Sequence, residues 1–262
     1  MFAHERQDRI ADVVADRGRV TVAELAAELD VTPETVRRDL DTLEGVRRLR
    51  RVHGGAVAMH RVSLSEPSLL ERRTQRLDEK NRIADAALAL VPAGRAASVI
   101  LDAGTTTERL ADRLATWRAE RVGDELLVIT NALPIASVLA ASVEIQLDLL
   151  GGRVRGLTSA LVGPTTTRQL DALRADVAFV GANGLTADFG LSTPDSAEAA
   201  VKAAMVRSAR RVVALVDSSK LGEDTLVRFA TLDQIDALVT DDSPPPDLAR
   251  ALAEAEVEVV VA

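Results

Sequence analysis

From Ala97 onward the chain alternates short, nearly continuous apolar runs with stretches of helical periodicity, and no other property restricts its fold as strongly. The runs are 98–101, 126–130, 145–149, 177–180, 212–216, 237–239 and 258–261. A strand that is apolar on both faces needs cover on both sides. Such runs between helices therefore specify a mostly parallel sheet with helical layers on both faces, an α/β domain. With 262 residues, the chain has material for that domain and a smaller one before it.

The first 58 residues read as the smaller domain. A helix over 4–17 carries Ile10, Val13 and Val14 on one face, with Gly18 as its stop. Thr21 precedes V-A-E-L-A-A-E-L, and Glu24 three residues on completes a capping box. After a short Asp30-Val31 turn comes T-P-E-T-V-R-R-D-L-D-T-L from Thr32. Here threonine caps, proline takes the first helical position, and Glu34 lies in the first turn where the helix dipole favours it. Val36, Leu40 and Leu43 face a core, which leaves Glu34, Thr35, Arg37, Arg38 and Asp41 more exposed. Two short helices joined by a tight turn, the second with an arginine face, suit a helix-turn-helix; an ordinary helical hairpin with solvated charges suits the same twenty residues.

The next segment, R-R-L-R-R-V-H-G-G-A-V over 47–57, separates the two. It reads as a basic wing, in which arginines bond phosphate oxygens and the glycine pair permits close backbone approach to a duplex. Between Arg37 and Arg61 stand seven arginines against three acids, a local charge of +4 in a chain of formal charge −8. Such an island is an electrostatic footprint for nucleic acid. Tyrosine is absent and other aromatics are scarce, which disfavours single strands bound by base stacking and leaves duplex DNA.

Residues 59–67 have no periodicity and read as a linker; 71–91 read as a connecting helix that ends at Pro92-Ala93-Gly94. The expected division is a DNA-binding domain over 1–58, a linker and the start of the connecting helix over 59–78, and an effector domain over 79–262. No apolar run is long enough to span a bilayer, and there are no cysteines for disulfides or thiolate metal sites. A cytoplasmic protein without membrane contact is expected. The histidines 4, 53 and 60 lack the spacing of a helical metal site, so neither metal nor cofactor is expected, and His53 reads as a polar wing residue.

In doubly covered parallel sheets ligands bind beyond the carboxyl ends of the strands. The first strand runs into Asp102-Ala103-Gly104-Thr105-Thr106-Thr107, where glycine, free amides and three hydroxyls at a helix start suit a phosphate. The same run would serve as a Thr-rich N-cap without a ligand. Later exits carry Thr130-Asn131, Gly151-Gly152, Gly181-Ala182-Asn183-Gly184 and Asp217-Ser218-Ser219-Lys220, and these small and polar exits are expected to converge on one rim. Lys220 would pair with a phosphate or with Asp102. Glu198 and Lys202, spaced i, i+4 on a helix, also read as a surface ion pair.

These motifs carry a resemblance. T-V-x-E-L-A-x-x-L-x-V-T-x-x-T-V-R-R-D-L-x-x-L-E running into L-R-R-V-H-G-G-A resembles the DNA-binding domain of the DeoR family of bacterial transcriptional regulators. L-D-A-G-T-T-T, V-I-T-N, L-L-G-G, G-P, D-V-A-F-V-G-A-N-G-L, E-A-A-V-K and D-S-S-K-L-G, in that order, resemble its effector domain. One departure concerns the wing: the family has glycine about four residues before R-x-H-G-G-A, where this chain has Arg47, with Gly45 two positions earlier.

The resemblance implies a winged helix-turn-helix followed by a domain similar to ribose-5-phosphate isomerase and the CoA transferases. Thr32, Thr35, Arg37 and Arg38 would meet operator DNA from the helix, and Arg50, Arg51, His53, Gly54 and Gly55 from the wing. The effector it implies is a phosphorylated sugar or polyol, with Asp102, Gly104, Thr105, Thr106, Thr107, Gly152 and Lys220 as contacts, and Asn131, Asn183, Glu198 and Lys202 as further ones. The chain would be a repressor of carbohydrate genes, not an enzyme, and at least a dimer on DNA, because an isolated winged helix makes few base contacts. The alternative is a sugar-phosphate isomerase with a DNA-binding arm. Such isomerases carry a D-G-A-D-E-like run where this chain has Gly181-Ala182-Asn183-Gly184, an amide and a glycine in place of carboxylates.

Overall fold

The structure is a computed structural model, and it describes residues 3–17, 19–46, 48–52, 54–58, 68–92, 96–118 and 124–262. The chain forms two compact units, Met1–Arg61 and Val62–Ala262.

In the first unit the elements are α1 (Ala3–Arg17), β1 (Arg19–Thr21), α2 (Val22–Leu29), α3 (Pro33–Gly45), β2 (Leu49–Val52) and β3 (Gly55–Ala58). Thr21 caps α2 with Glu24 closing the capping box, and Thr32 caps α3 with Pro33 at the first position, so both start signals operate as read. Asp30, in the left-handed region at φ 51°, ends α2 and turns the chain into α3. Ile10, Val14, Leu25, Leu29, Val36, Leu40, Leu43 and Leu49 are buried in one core. The strands form an antiparallel sheet in the order β1-β3-β2. Sequence reading omitted β1, whose three residues are too few to show alternation.

The second unit opens with α4 (Leu69–Thr74) and α5 (Leu77–Leu88). A single helix over 71–91 was expected; the chain breaks instead at Gln75-Arg76, where Arg76 adopts φ 52°. For a residue with a Cβ this costs about 1–3 kcal/mol, and tertiary bonds must hold it. Arg76 Nη2 donates to Asp241 Oδ2 at 2.7 Å and to Ser218 Oγ at 2.9 Å. The Ser68–Glu71 capping box that starts α4 lies before the expected start and was visible in the sequence. Residues 68–78 thus belong to the second unit and do not run free between the two.

There follow β4 (Ala97–Leu101), α6 (Thr105–Leu114), β5 (Leu126–Thr130), α7 (Leu133–Leu139), β6 (Ile145–Leu149), β7 (Arg153–Arg155), β8 (Ala160–Val162), α8 (Pro164–Asp171) and β9 (Ala175–Gly181). The chain continues through β10 (Gly184–Thr186), β11 (Gly190–Thr193), α9 (Ser196–Arg207), β12 (Ala209–Leu215), β13 (Val227–Ala230), β14 (Ala237–Thr240), α10 (Pro246–Glu254) and β15 (Glu258–Val261). All seven apolar runs join one seven-stranded sheet in the order β15-β14-β12-β9-β4-β5-β6, parallel between every neighbouring pair.

Alternate residues of each strand serve opposite faces. Val99, Leu101, Val128, Phe179 and Leu215 pack with Ile83 of α5, Leu110 and Leu114 of α6 and Ile135 of α7. Ile100, Ile129, Val180 and Ala214 pack with Leu170 of α8, Val201 and Met205 of α9 and Leu252 of α10. The β7–β8 hairpin and the small β10-β11-β13 sheet lie outside this frame. Their strands of three or four residues carry too little pattern to be read from sequence.

Candidate functional site

Each unit holds one candidate site. In the first, α3 presents Arg37 and Arg38, whose side chains are 52% and 80% exposed and touch only Glu34, at 3.3 Å and 3.8 Å, among the ion pairs of the described residues. Thr32 Oγ1 accepts from the Thr35 amide at 3.2 Å and bonds its hydroxyl at 2.9 Å, so both threonines serve the cap. Arg51 lies in β2, its amide donating to Glu44 and its guanidinium paired with Asp41. Arg50 pairs in register with Val57, while His53, like Arg47 of the expected wing, lies outside the described residues.

The glycine pair behaves differently from expectation. Gly54 takes φ 80° in the turn between β2 and β3 with open space around it. At Gly55 a Cβ would lie 2.1 Å from the Val20 carbonyl oxygen, so that glycine answers to a neighbouring strand of its own sheet. Asp39, counted among the acids of the basic island, is buried and accepts from Arg6 Nε at 2.5 Å and Gln7 Nε2 at 2.9 Å. Its charge is spent internally, which leaves the exposed face of α3 more basic than the sum suggests. Asp39→Ala strands Arg6, only 14% exposed, and is expected to lower stability by about 2–3 kcal/mol, read as an earlier first transition in urea unfolding of the full chain.

In the second unit a cavity of about 320 Å³ opens at the carboxyl ends of the central strands. The exit of β4 supplies Ala103, Gly104, Thr105 and Thr106, that of β9 supplies Gly181, Ala182 and Asn183, and that of β12 supplies Asp217, Ser219 and Lys220. Glu198 and Lys202 enter from α9. The convergence is narrower than expected, because the exits of β5 and β6 do not line it.

Three expected ligand contacts serve the fold instead. Thr107 donates to the carbonyls of Asp102 at 2.9 Å and Gly104 at 2.8 Å. Asn131 Nδ2 donates to Leu161 O at 3.0 Å. At Gly152 a Cβ would lie 2.2 Å from Thr166 Oγ1, so its glycine is a packing requirement.

The ion pairs are also redistributed. Lys202, not Lys220, meets Asp102, and it donates to Gly181 O at 3.0 Å as well. Lys220 pairs with Asp217 at 3.1 Å. Burial alone would push the Asp217 carboxyl up, but Lys220 and the Ser219 hydroxyl outweigh it and hold it below the ordinary range. Glu198 and Lys202 are not a surface pair: both are buried, and Glu198 accepts from Thr158 and lies 3.3 Å from Arg155.

Sequence reading missed the wall formed by Arg72, Gln75, Arg76 and Lys80. Lys80 shares a helical face with buried Ile83, Ala84 and Ala87, and a lysine on an apolar stripe was the available signal. Its ammonium donates to Gln75 O at 2.6 Å and to Arg72 O. Burial, reinforced by Lys220, lowers its pKa to about 8. The cavity thus has five cations on its wall, Arg72, Arg76, Lys80, Lys202 and Lys220, against the carboxylates Glu198 and Asp217. Among the described residues no group of acidic or histidine side chains could hold a metal ion, and no helix is long and apolar enough to cross a membrane.

Residues 75–242 match the family model described as the DeoR C terminal sensor domain, and residues 6–62 match the DeoR-like helix-turn-helix domain. The chain belongs to the DeoR family. It is a DNA-binding transcriptional regulator, with α2 and α3 as the helix-turn-helix and the cavity inside the DeoR sensor region. Among DeoR relatives it is 35% identical to the HTH-type transcriptional regulator GlpR of Haloferax volcanii, covering 99% of this chain and 98% of that protein. It is 29% identical to the glycerol-3-phosphate regulon repressor of Escherichia coli, over 97% of each chain. A solved structure of similar fold is ribose 5-phosphate isomerase A from Methanocaldococcus jannaschii, with TM-score 0.41 and 22% identity over 56% of this chain and 55% of that one.

Proposed function

We propose that this regulator represses carbohydrate genes and that a phosphorylated sugar or polyol bound in the cavity changes its affinity for operator DNA. The observation that carries the reading is the excess of cations on a half-enclosed wall in a chain of net charge −8. The lining carries five cations against two carboxylates, with Asp102 and Asp241 pairing Lys202 and Arg76 from outside it, and this balance together with the amides at the start of α6 suits a phosphate dianion. Gly104, Thr105, Thr106, Asn183, Lys202 and Lys220 are the contacts retained from the sequence, to which Arg72, Arg76 and Lys80 are added. Two relatives with names pointing to glycerol 3-phosphate and to lactose phosphotransfer support a phosphorylated ligand.

Arg37 and Arg38 meet the major groove, the wing meets phosphates, and the protein acts in the cytoplasm as a dimer or larger assembly whose spacing matches the half-sites. The isomerase reading is disfavoured because it asks for carboxylates at the site, and those present, Asp102, Asp217 and Glu198, are paired with Lys202, Lys220 and Arg155.

A gel-shift titration on the DNA upstream of the chain's own gene, with and without a pool of sugar phosphates, tests the reading. Retardation released by one component supports it; no retardation together with turnover of an aldose phosphate overturns it. The cavity also predicts a pH dependence. A bound dianion favours protonated Lys80, so ligand affinity is full well below pH 8 and falls as pH rises through about 8, a range in which a phosphate monoester is already the dianion. Calorimetry from pH 7 to 9.5 reads this fall, and Lys80→Gln flattens it.

A further inference from the structure

We propose that α4 is a strap through which effector occupancy reaches the DNA-binding unit, and that the ion pair of Arg73 with Glu108 is the latch that seats it. The proposal rests on the reading of the cavity as a site for a phosphorylated effector that changes operator affinity.

The six residues of α4 include no buried one, and Leu70 is 72% exposed. A helix of that length does not stand alone in water, and without apolar burial α4 keeps its place only through polar bonds. The Ser68–Glu71 capping box closes its start. Lys80 Nζ, from α5, takes the carbonyls of Arg72 and Gln75 at its end. The latch is the third bond: Arg73 Nε donates to Glu108 Oε2 at 2.8 Å. Of the three, only the latch joins α4 to α6.

Glu108 is a buried carboxylate for which effector binding has no use. It stands in the first turn of α6 with 6% of its surface exposed, and its next cation, Arg109, is 4.0 Å away. Arg73 and Glu108 line a separate hollow with Pro134 and Ile135 of α7, outside the cavity. Their sequence neighbours Arg72, Thr105 and Thr106 line the cavity itself. The meeting of α4 with the start of α6 therefore has two sides, one facing the effector and one held by the latch.

Lys80 and Arg72 link occupancy to seating. An ammonium has three donors, and the carbonyls of α4 take two, which leaves one for a phosphate oxygen. A phosphate so held, and shared with Arg72, adds to the bonds that seat α4 and favours the seated arrangement over a lifted one. The first unit ends at Arg61 and α4 starts at Leu69. Residues 62–68 span about 25 Å at full extension, so the position of α4 limits where the DNA-binding unit can reach.

The test compares the full-length parent with Arg73→Gln and Glu108→Gln in two affinities. Calorimetry gives that for glycerol 3-phosphate and for glucose 6-phosphate, and gel shifts without effector give that for the DNA upstream of the chain's own gene. Neither side chain lines the cavity, so neither variant removes a ligand contact. Unlatching favours the lifted arrangement, which effector binds less well and operator better. Both variants are therefore expected to weaken the sugar phosphate and to tighten operator. The two factors multiply to the weakening of the latch, roughly 5-fold to 50-fold, between an exposed ion pair and a hydrogen bond to a charged group. Arg73→Lys, which keeps the cation, is expected to return both affinities most of the way to the parent's. Affinities unchanged within about twofold, a shift in only one of them, or a weakening of both, as damage to packing alone would give, overturn the proposal and leave the phosphate reading standing. No binding of either probe to the parent, or no release of operator by a probe that binds, sinks the reading and the proposal together.

Discussion

Replacing Arg37 and Arg38 together by alanine is expected to weaken specific operator binding by about a hundredfold or more and to leave the thermal unfolding curve in place. An arginine contact to a base edge contributes roughly 1–3 kcal/mol of discrimination, so two lost contacts remove roughly 2–6 kcal/mol, a large part of the about 4–10 kcal/mol by which a regulator prefers its own site. The fold is indifferent to the change because both side chains are mostly exposed and pair only weakly with Glu34, whereas the core face of α3 is carried by Val36, Leu40 and Leu43. Gel shifts on operator and on scrambled DNA separate the outcomes. Equal affinity of the variant and the parent for operator would remove α3 as the reading helix.

Lys202→Met is expected to destabilise the second unit by about 3–5 kcal/mol, because it leaves the Asp102 carboxylate buried without its cation. That is a large share of the 5–15 kcal/mol typical of a domain. The loss extends beyond one pair, since Lys202 and Asp102 also take the carbonyl and the amide of Gly181 and so tie the end of β9 to the end of β4. Urea unfolding reads the loss, and the double change Asp102→Asn with Lys202→Met is expected to recover most of it, as a buried pair removed whole costs much less than one removed by half. A single variant as stable as the parent would show that the pair is solvated.

The contrast between these residues indicates what a sequence can carry. The five inner strands were legible because each must be apolar on both faces, and the starts of α2 and α3 because capping chemistry is local. The strand exits were legible for the same reason, and those of β4, β9 and β12 do meet at the cavity. The pairing of Asp102 was not. Lys202 and Lys220 are each a single cation on a segment near the strand ends, and the choice between them depends on where α9 packs, which no local pattern states. Arg72 and Lys80 reach the cavity because the chain breaks at Arg76, and that break is held by Asp241 and Ser218, more than 140 residues away. Gly55, read as permitting approach to a duplex, also has a requirement that no local pattern states, the close approach of β1.

The crowding at Gly55 also bears on how the smaller unit meets DNA. With β3 in the middle of its sheet and pressed against the Val20 carbonyl, the hairpin behind the basic strand cannot swing as a separate flap. On the proposed reading, in which α3 and the hairpin both meet the duplex, their separation would be fixed by this packing, and a groove of the wrong width would be rejected by misfit.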